Sequence, residues 1–256
     1  MIRPGLVSIT FRKLSPRQIV DLVVQAGLDA IEWSGDVHAP HGDVAKAREI
    51  AQMTADAGLS MPTYGSYYRV GHRADVPFPD VLVSAVALGT PTIRVWAGKV
   101  GSAEADADYW NGVVADSQRI VDLAATEGIG IAYEFHGNTL TDSAESARRL
   151  LEEVNRPNLR SLWQPPKGST IEQNRAGIDT LAPWISHIHT FSWRIEEGQT
   201  IRLPLDEYAI QWKEYLARIS ALGGDRYALL EFVRGDDPAQ FLADAVTLRG
   251  WLSADG

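Results

Sequence analysis

Eight short apolar runs alternate with eight longer amphipathic ones, which predicts an α/β chain closed into a single (β/α)8 barrel over residues 1–256. The length of 256 residues matches what eight strand–helix units occupy. No Gly-x-Gly-x-x-Gly follows the first strand, so an open dinucleotide-binding sheet is disfavoured.

The strands are expected near 6–10, 29–34, 60–65, 92–97, 129–136, 159–165, 185–192 and 227–233. Ser15 and Pro16 supply the cap and first position of the first helix, and Gly27 stops it. The second helix runs near 43–57 and stops at Gly58; the third opens at Pro79 and ends before Gly89. The fourth ends before Gly128, and Asp142 with Glu145 has capping-box spacing for the fifth. The sixth, near 170–181, has the weakest pattern, and the seventh covers 206–222 before Gly223 and Gly224. The last opens with Asp237, Pro238 and Gln240 in the same box arrangement. Such alternation implies parallel strands with right-handed crossovers. No linker, repeat or low-complexity segment interrupts it.

Composition narrows the function classes. Hydrophobic residues are 45% of the chain, enough for a large core. A net charge of −9 repels phosphate backbones, which argues against nucleic-acid and anionic-membrane partners. The absence of cysteine excludes disulfides, thiolate metal sites and cysteine nucleophiles. The opening MIRPGLVSIT has no basic segment followed by a long apolar one, and no run reaches eighteen apolar residues. A cytoplasmic enzyme is the expectation.

Four successive strand candidates end in polar groups: Glu134 in GIAYEFH, Gln164 in LRSLWQPP, His187 and His189 in ISHIHTFS, and Glu231 in YALLEFV. Side chains alternate faces along a strand, and in a barrel the chemistry sits at the C-terminal strand ends. Ala132, Glu134 and His136 share a face, as do Leu162 with Gln164, His187 with His189, and Leu229 with Glu231. All four sets can point inward together. A glutamate at a strand end more often closes an ion pair or caps a helix, and a lone histidine more often fills a core. Jointly, carboxylate, amide oxygen and imidazole are what a divalent cation takes. Glu32 and Arg94 face inward too, where a mutual ion pair and a substrate contact are equally open readings. Trp33, Tyr64, Tyr67, Trp96, Trp110 and Trp193 fall near loops or strand ends, as core packing or as walls for a ring.

The chain resembles a known family in SITFRKLSPRQIVDLVVQAGLDAIEW, ALGTPTIRVWAG, IAYEFHGN, HIHTFSW and YALLEFV. These segments are similar to the xylose isomerase-like TIM barrels, the sugar phosphate isomerase/epimerase group related to the AP-endonuclease family 2. The resemblance implies a (β/α)8 TIM barrel with metal ligands Glu134, Gln164, His189 and Glu231. Gln164 stands where the family usually has Asp, which removes a negative charge from the site. Lys167 stands where the epimerases have a substrate-binding His. Arg194 resembles a family substrate-binding Arg one residue out of place, and Arg202 is a second candidate. His136, His187, Tyr64 and Trp96 complete the expected substrate contacts.

The activity so implied is a sugar isomerase or epimerase that takes a proton from beside a carbonyl through an enediolate, with Glu134 and Glu231 as base and acid. One divalent ion is expected, Mn2+ first, with Mg2+, Co2+ or Zn2+ as alternatives. Elimination by a lyase or dehydratase needs only a different leaving group over the same site and is the alternative. A sugar-binding barrel without catalysis is a third reading. The partner is a small sugar or sugar derivative, and a homodimer or homotetramer is expected. Replacement of Gln164 by Asp is expected to tighten Mn2+ binding by about tenfold or more, measured by isothermal titration calorimetry.

Overall fold

Strands with small polar groups on one face and large apolar groups on the other can line a packed interior and still anchor an outer helix layer. That is the arrangement in the computed structural model of the chain, which describes residues 1–253. The strands are β1 (Ile2–Val7), β2 (Ala30–Ser34), β3 (Tyr64–Arg69), β4 (Thr92–Trp96), β5 (Gly130–Glu134), β6 (Leu159–Trp163), β7 (Ile185–Thr190), β8 (Ser192–Glu196), β9 (Gln199–Leu203) and β10 (Arg226–Leu230). All but β8 and β9 form a closed parallel barrel, in which β10 lies between β7 and β1. The helices are α1 (Pro16–Ala26), α2 (Val44–Asp56), α3 (Phe78–Leu88), α4 (Ala107–Ala125), α5 (Ala144–Val154), α6 (Ile171–Leu181), α7 (Ala209–Ser220) and α8 (Pro238–Ser253). The (β/α)8 TIM barrel expected from the sequence is present. No helix among the described residues is long and apolar enough to cross a membrane.

Outward-facing Ile31, Trp33, Tyr68, Ile93, Tyr133 and Trp163 meet Ile19, Val23, Ile120 and Phe241 of the helices in one apolar layer. Each such aliphatic or Phe side chain contributes about 1.5–3 kcal/mol on burial. A smaller cluster of Val7, Ile9, Ala30 and Leu229 packs separately.

Local sequence sets most boundaries. Ser15 and Gln18 close a reciprocal capping box on α1, and Gly27 ends it at φ 64°. Some expectations shift. The cap of α5 is Ser143, one residue later than expected, because Asp142 instead accepts from the Ser102 N–H at 2.9 Å. Asp237 accepts from the Ala239 N–H at 2.9 Å, but Gln240 turns to Asp244, so the box on α8 does not close. The third strand lies at 64–69 rather than 60–65. Ser60 makes only an isolated bridge to Ala30, and Pro62 has no N–H to continue a ladder. The strand then bulges between Gly65 and Tyr68, with Tyr67 at φ 55°. The seventh run ends at Thr190, and the rest of it turns out into the antiparallel β8–β9 hairpin.

The loop after β3 is tied to α4 through one buried carboxylate. Asp116 accepts from the Tyr68 hydroxyl and the Gly71 N–H, both at 2.8 Å, and from Arg73 Nε and Arg119 Nε. Burial alone would raise the Asp116 pKa, but these donors hold it below the usual carboxylate value. Its contribution to stability is therefore present above the ordinary aspartate pKa and is lost as pH falls through the depressed one. Replacing Asp116 by Ala leaves the buried Tyr68 hydroxyl and the Gly71 N–H without this acceptor, and urea titration is expected to show a loss of about 1–3 kcal/mol. The gap from the native chain should narrow in acid.

Candidate active site

A guanidinium on the inner face of a barrel strand must find carboxylates. Arg94, in the middle of β4 and 1% exposed, donates from Nε to Glu32 Oε1 at 2.7 Å and from Nη1 to Glu134 Oε2. The equally open choice at Glu32 and Arg94 thus resolves as an internal ion pair. Gly65 makes room for it: a Cβ there would stand 2.5 Å from Arg94 Nη2 and 2.8 Å from Glu32 Oε1. The Trp96 indole N–H also donates to Glu134 Oε2, at 2.5 Å. Burial would raise the Glu134 pKa, but Arg94, with His189 and His136, pulls it below its ordinary value. Against the same burial, Arg94 and His189 draw Glu32 down to about 2.

His189, at the end of β7, is fully buried. Its Nε2 lies 3.2 Å from Glu32 Oε2, and the ionised carboxylate can only accept, so Nε2 carries the hydrogen. Its Nδ1 lies 3.3 Å from Glu231 Oε2 without a hydrogen bond. Gln164 donates from Nε2 to the Phe135 carbonyl at 3.0 Å and to Glu134 Oε1 at 3.3 Å, which leaves its Oε1 without a partner.

With His189 neutral, as a metal ligand must be, three buried acceptor atoms, Gln164 Oε1, His189 Nδ1 and Glu231 Oε2, have no donor, and they belong to three of the four residues marked as ligands by sequence. Buried acceptors without donors call for a cation. A histidine that gives its other N–H to a carboxylate is the usual arrangement behind a metal ligand. Glu32, Glu134 and Glu231 against Arg94 leave two negative charges for a divalent ion to neutralise. The donor set fits such an ion. Among the described residues, however, no three histidine, aspartate or glutamate side chains already stand at ligating positions. Glu134 is turned onto Arg94 and Trp96, and one of the four donors is an amide.

His136 follows β5 at the rim. Its Nδ1 lies 2.6 Å from the Gly137 carbonyl, which only accepts, so Nδ1 holds a hydrogen and, in the neutral imidazole, the lone pair is on Nε2. The ring stacks on Trp96 with centroids 4.5 Å apart. Lys167, exposed on the loop after β6, lies over Trp193 at 5.3 Å. Arg194 on β8 is tied to Glu196 at 2.6 Å, and Arg202 on β9 to Asp236 at 2.5 Å. Of these three cations Arg194 lines a 330 Å³ groove, with Phe191, Trp193 and Tyr208.

Two expected contacts lie elsewhere. Tyr64 points to the helix layer, where its hydroxyl donates to the Ala39 carbonyl at 2.7 Å and bonds His41 at 2.8 Å. His187 shares the inner face with His189 but sits two residues earlier, one layer deeper, edge-on to Tyr227. Burial lowers its pKa to about 4, so it is neutral there. Tyr67, read from sequence as core packing or a wall for a ring, and Arg69, not singled out there, also lie at this site. Tyr67 lies 4.8 Å from the Arg94 guanidinium and 6.0 Å from Trp96, and Arg69 lies over Trp96 at 3.9 Å. The alternation in SYYR carries a signal for them only once the bulge is known.

The sequence pattern of the family described as xylose isomerase-like TIM barrel matches residues 20–251. The 3-dehydroshikimate dehydratase of Bacillus anthracis is 27% identical over 204 residues, which are 72% of this chain and 70% of that protein. The crystal structure of AsbF from Bacillus anthracis, a probable 3-DHS dehydratase of petrobactin synthesis, superposes with a TM-score of 0.80 at 23% identity, covering 97% of this chain and 99% of that one. A D-psicose 3-epimerase solved in the presence of D-fructose gives 0.73 at 17% identity, over 98% of this chain and 97% of its own. A xylose isomerase-like TIM barrel protein from Mycobacterium smegmatis in complex with magnesium gives 0.71 at 15%, over 98% and 97%. At these identities the three structures share the fold. The relative found by sequence is a dehydratase, so the isomerase expectation is not confirmed and the elimination alternative is the better supported.

Burial pushes the His189 pKa down, but Glu231 and Glu32 outweigh it and raise the value to about 10. In metal-free protein a proton fills the place between Nδ1 and Glu231. The stability this gives is full below the ordinary histidine pKa and is lost as pH rises through about 10. Uptake of Mn2+ at pH 7 is expected to release about one proton, measured by calorimetry in buffers of different ionisation enthalpy. His189→Gln should abolish that release.

Proposed function

The chain belongs to the xylose isomerase-like TIM barrel family, and we propose that it is a divalent-metal-dependent dehydratase for a small hydroxylated keto acid of the 3-dehydroshikimate type. The observation that carries the reading is the state of the two bases. Epimerisation by Glu134 and Glu231 needs two free carboxylates on opposite faces of one carbon. Glu134 is held by Arg94 and Trp96, which weakens it as a base. His136, by contrast, offers a free Nε2 on one side. One-sided proton transfer suits elimination, and the sequence relative is a dehydratase.

Glu134, Gln164, His189 and Glu231 would hold the ion, and Mn2+ is the first to test. Bound there, it supplies Lewis-acid polarisation of the substrate ketone. Glu32 fixes the His189 tautomer through the Nε2 hydrogen bond, and Arg94 keeps Glu32 and Glu134 ionised. His136 Nε2 takes the proton from the carbon beside the ketone. The carbon–oxygen bond at the β-position then breaks, and the imidazolium returns its proton to the departing hydroxyl, which leaves as water. In a 3-dehydroshikimate ring the resulting dienone enolises to a dihydroxybenzoate, so no oxidant is needed. Trp96 gives His136 a flat support beside the ligand Glu134.

Incubating Mn2+-loaded protein with 3-dehydroshikimate should produce the ultraviolet absorbance of an aromatic acid. His136→Gln should lower kcat by about 10²–10⁴-fold with the metal retained. Glu134→Gln and Glu231→Gln should lose metal and turnover together. No product from 3-dehydroshikimate, with C3 epimerisation of ketoses instead, would return the assignment to the epimerases.

A further inference from the structure

Most cations at the mouth of the barrel already have carboxylate partners. Lys99 is paired with Asp75, Arg194 with Glu196 and Arg202 with Asp236. Arg69 is different. It ends β3, is half-buried, and among the described residues its guanidinium meets neither a carboxylate nor a side-chain hydrogen-bond acceptor. It lies 3.9 Å from the centroid of Trp96, its neighbour in strand register. A cation–π contact of about 0.5–2 kcal/mol does not replace an anion for a guanidinium drawn partly out of water.

The position matters as much as the missing partner. The indole under Arg69 donates to Glu134 and stacks on His136. One aromatic ring therefore joins the unpaired cation to a proposed metal ligand and to the proposed base. Lys167 also lacks a carboxylate partner but is exposed and lies on Trp193, away from this group, and Arg234, just after β10, gives its guanidinium to the Gln240 amide oxygen.

We propose that Arg69 is the carboxylate receptor of the pocket. Its planar fork takes the ring carboxylate of the substrate in two parallel hydrogen bonds while Trp96 holds it flat, and this selects hydroxylated ring acids over neutral polyols. The substrate class named here rests on the dehydratase reading, whereas the receptor is a binding device that turnover is not needed to observe.

The test is a matched pair of ligands, 3,4-dihydroxybenzoate and catechol, which share the two hydroxyls and differ in the carboxylate. Calorimetric titration into Mn2+-loaded native protein, Arg69→Gln and Arg69→Lys is expected to show the acid weakened about 10–100-fold in Arg69→Gln, with partial recovery in Arg69→Lys. Catechol should bind all three within about twofold, which a merely structural loss of the Arg69–Trp96 stack would not allow. Equal weakening of both ligands, an unchanged acid affinity, or a native protein that does not bind the acid would each overturn the proposal. Selective acid binding lost in Arg69→Gln, without any turnover of 3-dehydroshikimate, would sustain the receptor and overturn the dehydratase. Turnover with an unchanged KM in Arg69→Gln would do the reverse.

Discussion

The buried pairing of Arg94 with Glu32 and Glu134 is the constraint on which the rest of the barrel interior depends. A guanidinium that is 1% exposed is tolerable only with its charge matched on the spot. That requirement fixes residues on β2, β4 and β5 at once, across the intervening β3. It ionises both carboxylates, and through Glu32 it decides which nitrogen of His189 is free. It also dictates the absence of a side chain at Gly65. The unsatisfied acceptors of Gln164, His189 and Glu231 make sense only against this background. The strands of the first half supply the one fixed positive charge, and those of the second half supply groups that need another.

Two layers of the interior do different work. The deeper one is neutral: His187 packs on Tyr227 with its charge suppressed. The upper one is charged and joins the rim aromatics through Trp96. This division follows from the pleat, which repeats the inward face about every 6–7 Å along a strand. Groups two residues apart on one strand can thus have unrelated chemistry, as His187 and His189 do.

Much of the fold was legible because its signals are local. Period-two alternation, the Ser15-Pro16 start and the stops at Gly27 and Gly89 report on a few residues each, and they appear where expected. Parity along the strands also put Glu134, Gln164, His189 and Glu231 on one inner face, and the structure brings them together. What stayed hidden depends on longer-range geometry. Tyr64, expected as a substrate contact, opens β3 on the outward face, where the Ala39 carbonyl and His41 hold its hydroxyl. The β8–β9 hairpin was taken into the seventh strand and its loop, although Glu197-Gly198, both at positive φ between two alternating runs, is a hairpin turn signal. Arg69 carried no signal without the bulge, and Tyr67 was only one of six aromatics open to core packing or a ring wall. The choice between isomerase and dehydratase lay beyond the sequence pattern, which carried elimination as the alternative, because both chemistries can use the same donor set.

The closing strand carries a consequence for how the protein comes into being. β10 pairs in parallel with β1, so Ile2 faces Arg226 across the seam, and Glu231 follows directly after. A chain leaving the ribosome N-terminus first must wait for nearly its whole length before that edge can be covered. Until then β1 and β7 are bare parallel edges, the kind of surface that pairs with other chains. The Glu32–Arg94–Glu134 group precedes the closing strand in the chain, but Glu231, the carboxylate beside His189, arrives only with the strand that closes the barrel. Completion of the cylinder and completion of the reactive centre are thus a single late event, and a ribosome that stalls before the last strand releases a chain with neither.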